Sequence, residues 1–214
     1  MPRKQLKRIL EVGNLPNVFT FDDEYAEIDY RTYFNNNKPI TLELACGGGE
    51  YSVELARRFP DRNFIGIDKK GHRIWKGAQA AIMDNIDNVA FIRCDIRLIG
   101  KIFQCGEIED IWITFPDPYP KRSQAKHRLT AAEYLQMYKN LMIESGTVNL
   151  KTDSELFFES TLESIESNQF RILEREDDLY GGDSIDEILN IKTKYEKRHL
   201  ANGKIIKYLK FALY

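Results

Sequence analysis

Four short apolar runs that each lead to a carboxylate constrain this chain more than anything else in it. ITLELAC (40–46), NFIGID (63–68), VAFIRCD (89–95) and IEDIWITF (108–115) are rich in β-branched and aromatic residues, and each spans six to eight residues. That length and composition read as buried strands rather than helices. Between them the apolar spacing is helical, up to about Phe59 and again from about His72 to Asn85. The pattern continues with a helix over 130–142, a strand at GTVNLKT (146–152) and a helix from Asp153 to about Ser167. Strands alternating with helices of this size build a parallel sheet covered on both faces. Right-handed crossovers then bring the strand C-termini to one edge, where α/β proteins bind their ligands. The ending differs. FRILERE (170–176) and IIKYLKFAL (205–213) are strand-like, and the TKYEKRHLANG between them has Thr193 and Glu196 at capping-box spacing, with Gly203 as a helix stop. A last strand reached without a standard crossover is expected to run antiparallel.

The acids sit where that edge would be. Asp68 ends the second run and Asp95 the third, Asp117 follows the fourth, and Glu43 lies inside the first, where an unpaired acid would be costly. Strand-end acids also cap helices, which would account for Asp68 or Asp95 taken singly. Four acids beside a glycine turn favour a ligand site. That turn is LELACGGGEYS (42–52), whose Gly47 and Gly49 would let a ligand approach the backbone. Ser52 stands where the dinucleotide fingerprint G-x-G-x-x-G needs its third glycine, and no Lys-Ser/Thr ending marks a P-loop. A ligand with a ribose, an adenine and a cationic group, but no long polyphosphate, suits this set.

Length and composition bound the remaining possibilities. A chain of 214 residues with 43% hydrophobic and 30% charged content suits one soluble domain, residues 1–214. No apolar run approaches the roughly 20 residues a bilayer span needs. The segment MPRKQLKRILEV lacks the apolar core of a signal peptide, and residues 1–14 read as a mobile basic N-terminal arm. Cys46, Cys94 and Cys105 form no C-x-x-C pair and read as reduced thiols, which points to the cytoplasm. The three histidines are far apart, so no metal site is expected. A net charge of −2 hides basic clusters at Arg3, Lys4, Lys7 and Arg8, at Lys121, Arg122, Lys126 and Arg128, and at Lys192, Lys194, Lys197 and Arg198. Acids gather at 174–178 and 183–187.

At this point the residues resemble a known family. ELACGGGEYS resembles the S-adenosylmethionine loop of class I methyltransferases. FPDPYPKRSQAKHRL (115–129), LKTDSELF (150–157) and TKYEKR (193–198) are similar, in order, to the signature motifs of bacterial tRNA (guanine-N7)-methyltransferases. The likeness runs from about Leu15 to the C-terminus. The chain departs from the family pattern at Tyr119, where tryptophan is usual, at Asp68, where glutamate is commoner, and in a basic tract interrupted by Ser123, Gln124 and Ala125.

The resemblance implies an α/β fold, a doubly wound Rossmann-like class I methyltransferase sheet of seven strands, mostly parallel with an antiparallel last strand. It implies transfer of a methyl group from S-adenosyl-L-methionine to N7 of guanine 46 in the tRNA variable loop. Glu43, Gly47, Gly49, Asp68 and Asp95 would then serve the cofactor, and Asp117 both cofactor and catalysis. Lys121, Asp153, Thr193, Lys194, Tyr195 and Glu196 would face the RNA, with Arg122, Lys126 and Arg128 adding phosphate affinity. The expected partner is tRNA, with no obligate protein partner and no membrane, and with monomer and homodimer both open. The rival readings are methylation of another RNA base, an NAD-dependent oxidoreductase, and an RNA-binding scaffold without catalysis. Ser52 and the antiparallel ending disfavour the oxidoreductase, and a full set of acids disfavours the scaffold.

Overall fold

The computed structural model describes residues 3–22, 28–182 and 184–214. The side chains of Arg3 and Lys4 and the whole of Asp183, which belong to the charge clusters above, lie outside the described residues. The chain divides into two compact units, Met1–Gln104 and Cys105–Tyr214.

In the first unit, helix α1 (Arg3–Val12) precedes β1 (Val18–Thr20), α2 (Tyr30–Phe34), β2 (Ile40–Leu44), α3 (Glu50–Arg58), β3 (Asn63–Asp68), α4 (Gly71–Met83) and β4 (Val89–Arg93). Its strands lie in the order β1-β4-β3-β2 and all run parallel. Every residue of β2 and β3 is buried, as the apolar runs require for strands covered on both faces. Asn88 fixes the entry to β4, its amide donating to the carbonyls of Ala56, Phe59 and Arg62 at 2.9–3.0 Å.

The N-terminal segment expected as a mobile arm is helix α1, seated on α4. Gln5 Nε2 lies 3.0 Å from His72 Nε2, the Arg8 guanidinium lies 4.8 Å over the Trp75 ring, and Val12 is buried. Gly71 allows the approach, because a Cβ there would come within 3.0 Å of Val12 Cγ1. Burial first, then the charges of Arg73 and Lys70, push the His72 imidazole below its ordinary pKa.

In the second unit, β5 (Ile108–Thr114), α5 (Ala132–Leu141), β6 (Met142–Thr152), α6 (Glu155–Ser167), β7 (Arg171–Glu176), α7 (Lys194–Ala201) and β8 (Lys207–Ala212) follow in turn. The order is β5-β6-β8-β7, with β5 and β6 parallel and β8 antiparallel to both of its neighbours. The expected antiparallel last strand is therefore present. The strand count differs from the expected seven. Eight strands occur among the described residues, because Val18–Thr20 makes three ladder partners with β4. Three residues within a polar segment carry too little periodicity to be read as a strand. Helix α5 passes directly into β6, which starts at Met142 rather than Gly146. Gly203, at φ +67°, ends α7 as its position suggested. No helix among the described residues is long and apolar enough to cross a membrane.

Candidate functional site

In the first unit, β2 ends at Leu44 and the chain turns through Ala45, Gly47 and Gly49, at φ +57°, +56° and +69°, before α3 starts at Glu50. The glycines serve different purposes. A Cβ on Gly49 would lie 2.4 Å from Cε1 of Phe91, one on Gly66 2.7 Å from the same ring, and one on Gly77 2.7 Å from Gly48 O. Phe91 thus fills a hollow that exists only because three residues on separate elements lack side chains. Gly66 and Gly77 were not singled out from sequence, although a glycine inside a buried strand does mark close approach. Around Gly47, by contrast, an added Cβ would meet only Ala45 O, at 4.0 Å. That open cradle is what a ligand approaching the backbone needs. Gly49→Ala is expected to lower stability by about 2–4 kcal/mol, combining left-handed strain with collision into Phe91. Gly47→Ala should cost only the strain, about 1 kcal/mol. Urea midpoints at unchanged slope test the difference.

The acids of this unit hold the turns. Asp68 Oδ2 accepts from Gly47 N at 3.0 Å and Oδ1 from Lys70 N at 2.7 Å, so one carboxylate shapes the loops after both β2 and β3. Glu43, expected to face a ligand, is 3% exposed, and its Oε2 accepts from Ser52 N at 2.9 Å and Ser52 Oγ at 2.5 Å. Gly49 offers no side chain to cap α3, and Glu43 supplies the missing acceptor from the neighbouring strand. Ser52, which breaks the dinucleotide fingerprint, is therefore the partner of an acid. Asp95 caps the 3₁₀ turn Ile96–Lys101 through Arg97 N at 3.1 Å, as the capping alternative anticipated. Its oxygens also accept from Arg97 Nε at 3.0 Å, Arg97 Nη2 at 2.7 Å and Lys69 Nζ at 3.1 Å. The Arg97 hydrogen bonds, with help from Lys69, hold this carboxyl well below the usual carboxylate range. Burial pushes the Cys46 thiol up, and the Cys94 thiol up to about 12, so neither is a ready nucleophile.

In the second unit, β5 leads to a turn under strain on both sides of Asp117. Phe115 and Tyr119 are non-glycine residues at φ +51° and +45°. Such positions persist only where surroundings over-determine them, and they concentrate at functional sites. The surroundings here are explicit. Phe115 N donates to Lys151 O at 2.8 Å, and Arg128 donates from Nε to Pro118 O and from Nη2 to Tyr119 O, both at 3.1 Å. The Tyr119 ring lies 5.7 Å from that of His127. Asp117 itself is exposed. Arg128, expected among the phosphate-binding cations, is instead a brace for this turn, whereas Lys121, Arg122 and Lys126 are exposed on or beside the 3₁₀ segment Arg122–His127. Salt dependence should separate the two kinds. Lys121→Ala or Lys126→Ala should reduce the slope of log affinity for RNA against log salt by about one. Arg128→Ala should leave that slope unchanged while turnover falls.

The KTD segment closes β6. Ser154, not Asp153, caps α6, accepting from Phe157 N at 3.2 Å. Asp153 Oδ2 instead lies 3.2 Å from Nδ1 of His199 on α7. Lys151, fully buried, places its Nζ 2.6 Å from Glu196 Oε1, 2.8 Å from Leu189 O and 3.2 Å from Ile191 O. Tyr180 OH donates to the same Glu196 oxygen at 2.7 Å. Burial pushes the Lys151 ammonium below its ordinary pKa, against the pull of Glu196. Only half of the expected capping box forms. Thr193 Oγ1 accepts from Glu196 N at 3.1 Å, but the glutamate side chain goes inward to Lys151. The four residues expected at the RNA face therefore divide. Lys194 and Tyr195 are exposed, whereas Thr193 is buried and Glu196 is 0% exposed. Sequence reasoning gave Arg128 a different task and missed what Lys151 and His199 do.

Comparison with known proteins places this arrangement. A family model described as "Putative methyltransferase" matches residues 37–209. A tRNA (guanine-N(7)-)-methyltransferase of Christiangramia forsetii is 47% identical over 198 residues, 92% of this chain and 87% of that protein. A protein of the same name from Bacteroides thetaiotaomicron is 40% identical over 223 residues, covering 100% of this chain and 87% of its own length. The solved structure of the 16S rRNA methyltransferase KamB, at 11% identity, superimposes with a TM-score of 0.65 over 90% of this chain and 94% of that one, a likeness of fold alone. The chain, with its mostly parallel α/β strands, its open glycine turn and its braced Asp117 segment, belongs to the tRNA (guanine-N(7)-)-methyltransferase family.

Proposed function

We propose that this protein transfers a methyl group from S-adenosyl-L-methionine to N7 of guanine 46 in the variable loop of tRNA, working as one catalytic domain in the cytoplasm. The observation that carries the reading is the built turn at Asp117, an exposed carboxylate between two left-handed residues in a chain of this family. The donor set fits the cofactor: an open cradle at Gly47, with carboxylates at Asp68 and Asp95 suited to a ribose and an adenine amine. When bound, the cofactor supplies an electrophilic sulfonium methyl.

The residues then have distinct tasks. Asp68 fixes the cradle by holding Gly47 N, and Glu43 supports the helix start behind it. Guanine N7 presents a free lone pair and carries no proton, so no general base is required. What the protein must supply is alignment, together with a fixed negative charge near the purine as positive charge develops on it. Asp117 is assigned both parts, accepting from guanine N–H groups while it stabilises the charge. Lys121, Lys194 and Tyr195, all with exposed or half-exposed side chains, are assigned to the RNA backbone and bases. Thr193 and Glu196 are assigned to shaping the start of α7 rather than to direct contact.

The test is methyl transfer from labelled S-adenosylmethionine to unmodified tRNA, with the modified nucleoside identified after digestion and Asp117→Ala as control. N7-methylguanosine from the wild type alone supports the reading. Label in another nucleoside overturns the assigned base, and binding of both substrates without transfer overturns catalysis in favour of a scaffold. Loss of the label after changing guanine 46 to adenine would support the assigned position.

A further inference from the structure

We infer that His199 is a positioning residue that couples the two motif segments of the second unit, holding Asp153 by its ring edge and the turn before Asp117 by its ring face. The inference rests on the methyl-transfer reading above, in which both segments serve the substrate.

Two contacts carry it. At the edge, Nδ1 of His199 lies 3.2 Å from Oδ2 of Asp153. A carboxylate can only accept, so Nδ1 carries the proton in the neutral as well as the charged imidazole. Asp153 is free for this contact because Ser154 takes the capping task of α6. At the face, the His199 ring lies parallel to the Phe115 ring, with 8° between planes and 5.7 Å between centroids. Phe115 is one of the two strained residues flanking Asp117, and its N–H is fixed on Lys151 O. One side chain on α7 therefore touches the aspartate that closes β6 and the aromatic that opens the turn after β5. The flat ring and the edge donor are both needed. Phenylalanine would keep only the face, and asparagine only the donor.

The competing explanation is an ordinary half-exposed ion pair, with side chains 28% and 21% exposed. Pairs of that kind contribute little, and their loss changes no kinetic constant in particular. Positioning makes a sharper claim, that the two halves of the side chain affect different constants. Steady-state methyl transfer to unmodified tRNA with wild type, His199→Phe and His199→Asn tests it. His199→Phe should raise KM for tRNA about tenfold with kcat within about twofold, because Asp153 loses its holder. His199→Asn should lower kcat about tenfold with KM within about threefold, because Phe115 loses its stacking partner. His199→Phe added to Asp153→Asn should have no further effect on KM. Wild-type constants in both single variants, additive effects in the double variant, or equal losses of kcat and melting temperature in both would overturn the inference.

A readout independent of activity separates its failure from failure of the function. The imidazole ¹⁵N spectrum of the wild-type protein should show Nδ1 of His199 protonated, with its ring protons shifted upfield by Phe115 and the shift altered in Asp153→Asn. A spectrum with Nε2 as the protonated nitrogen would overturn the inference whether or not the protein methylates tRNA. The expected spectrum in a protein that transfers no methyl would uphold the coupling and remove only the assigned reaction.

Discussion

Lys151→Met is expected to destabilise the protein by about 3–5 kcal/mol, the cost of leaving one partner of a buried ion pair behind. The ammonium donates to the Leu189 and Ile191 carbonyls and faces Glu196 at 2.6 Å, with both side chains at 0% exposure. Without it the Glu196 carboxylate keeps the Tyr180 hydroxyl on Oε1, and its Oε2 has no hydrogen-bond partner among the described residues. Chemical denaturation should show the loss in the midpoint. The double variant Lys151→Met/Glu196→Leu tests the cause. If the penalty comes from a stranded charge, removing the second charge recovers part of it, because exchanging a whole buried pair for apolar groups is often close to neutral. About 1–3 kcal/mol should remain for the Leu189 and Ile191 carbonyls, which lose the ammonium's hydrogen bonds. A double variant no better than Lys151→Met would show that packing, not charge, is what the lysine supplies.

The second large effect is on rate. Asp117→Ala should lower kcat/KM for tRNA methylation by about 10²–10³, equivalent to about 3–4 kcal/mol of transition-state stabilisation. Stability should change by no more than about 0.5 kcal/mol, because the side chain is exposed and the turn is braced by Arg128 and Phe115 rather than by the aspartate. Asp117→Asn is expected to fall between the two, keeping an acceptor oxygen and losing the charge. Because the acceptor nitrogen carries no proton, the methyl-transfer step in single-turnover assays should show no solvent isotope effect, in wild type or in either variant. A solvent isotope effect on that step in wild type that disappears in Asp117→Ala, with cofactor-induced thermal stabilisation intact, would instead make Asp117 a general base.

The strands and their acids were legible because each signal is local. A run such as NFIGID states its burial, its length and its terminal carboxylate within six residues. The antiparallel ending could be read for the same reason, from two strand-like runs without a crossover between them. What could not be read is the partner of a side chain when that partner is remote. Thr193 and Glu196 advertise a capping box, and the spacing is blind to Lys151 on another strand, which draws the carboxylate inward. Ser52 looked like a defect in a glycine fingerprint until Glu43 appeared beside it. Phe91 was one apolar residue among several in its strand, and its role became visible only with Gly49, Gly66 and Gly77 around it. Arg128 sits in a cluster of exposed cations that sequence alone treats as equivalent. His199 was set aside because isolated histidines suggest no ligand set, a test that does not ask what one imidazole can do with two neighbours.

The left-handed residues on either side of Asp117 have a practical consequence. Glycine would occupy positions 115 and 119 without the strain that phenylalanine and tyrosine bear there. Selection for heat resistance alone would therefore favour glycine at both, and with it the loss of the two aromatic rings that His199 and His127 rest against. Durability and turnover pull in opposite directions over these five residues. A programme to harden this enzyme should leave that stretch untouched and look for its gains elsewhere.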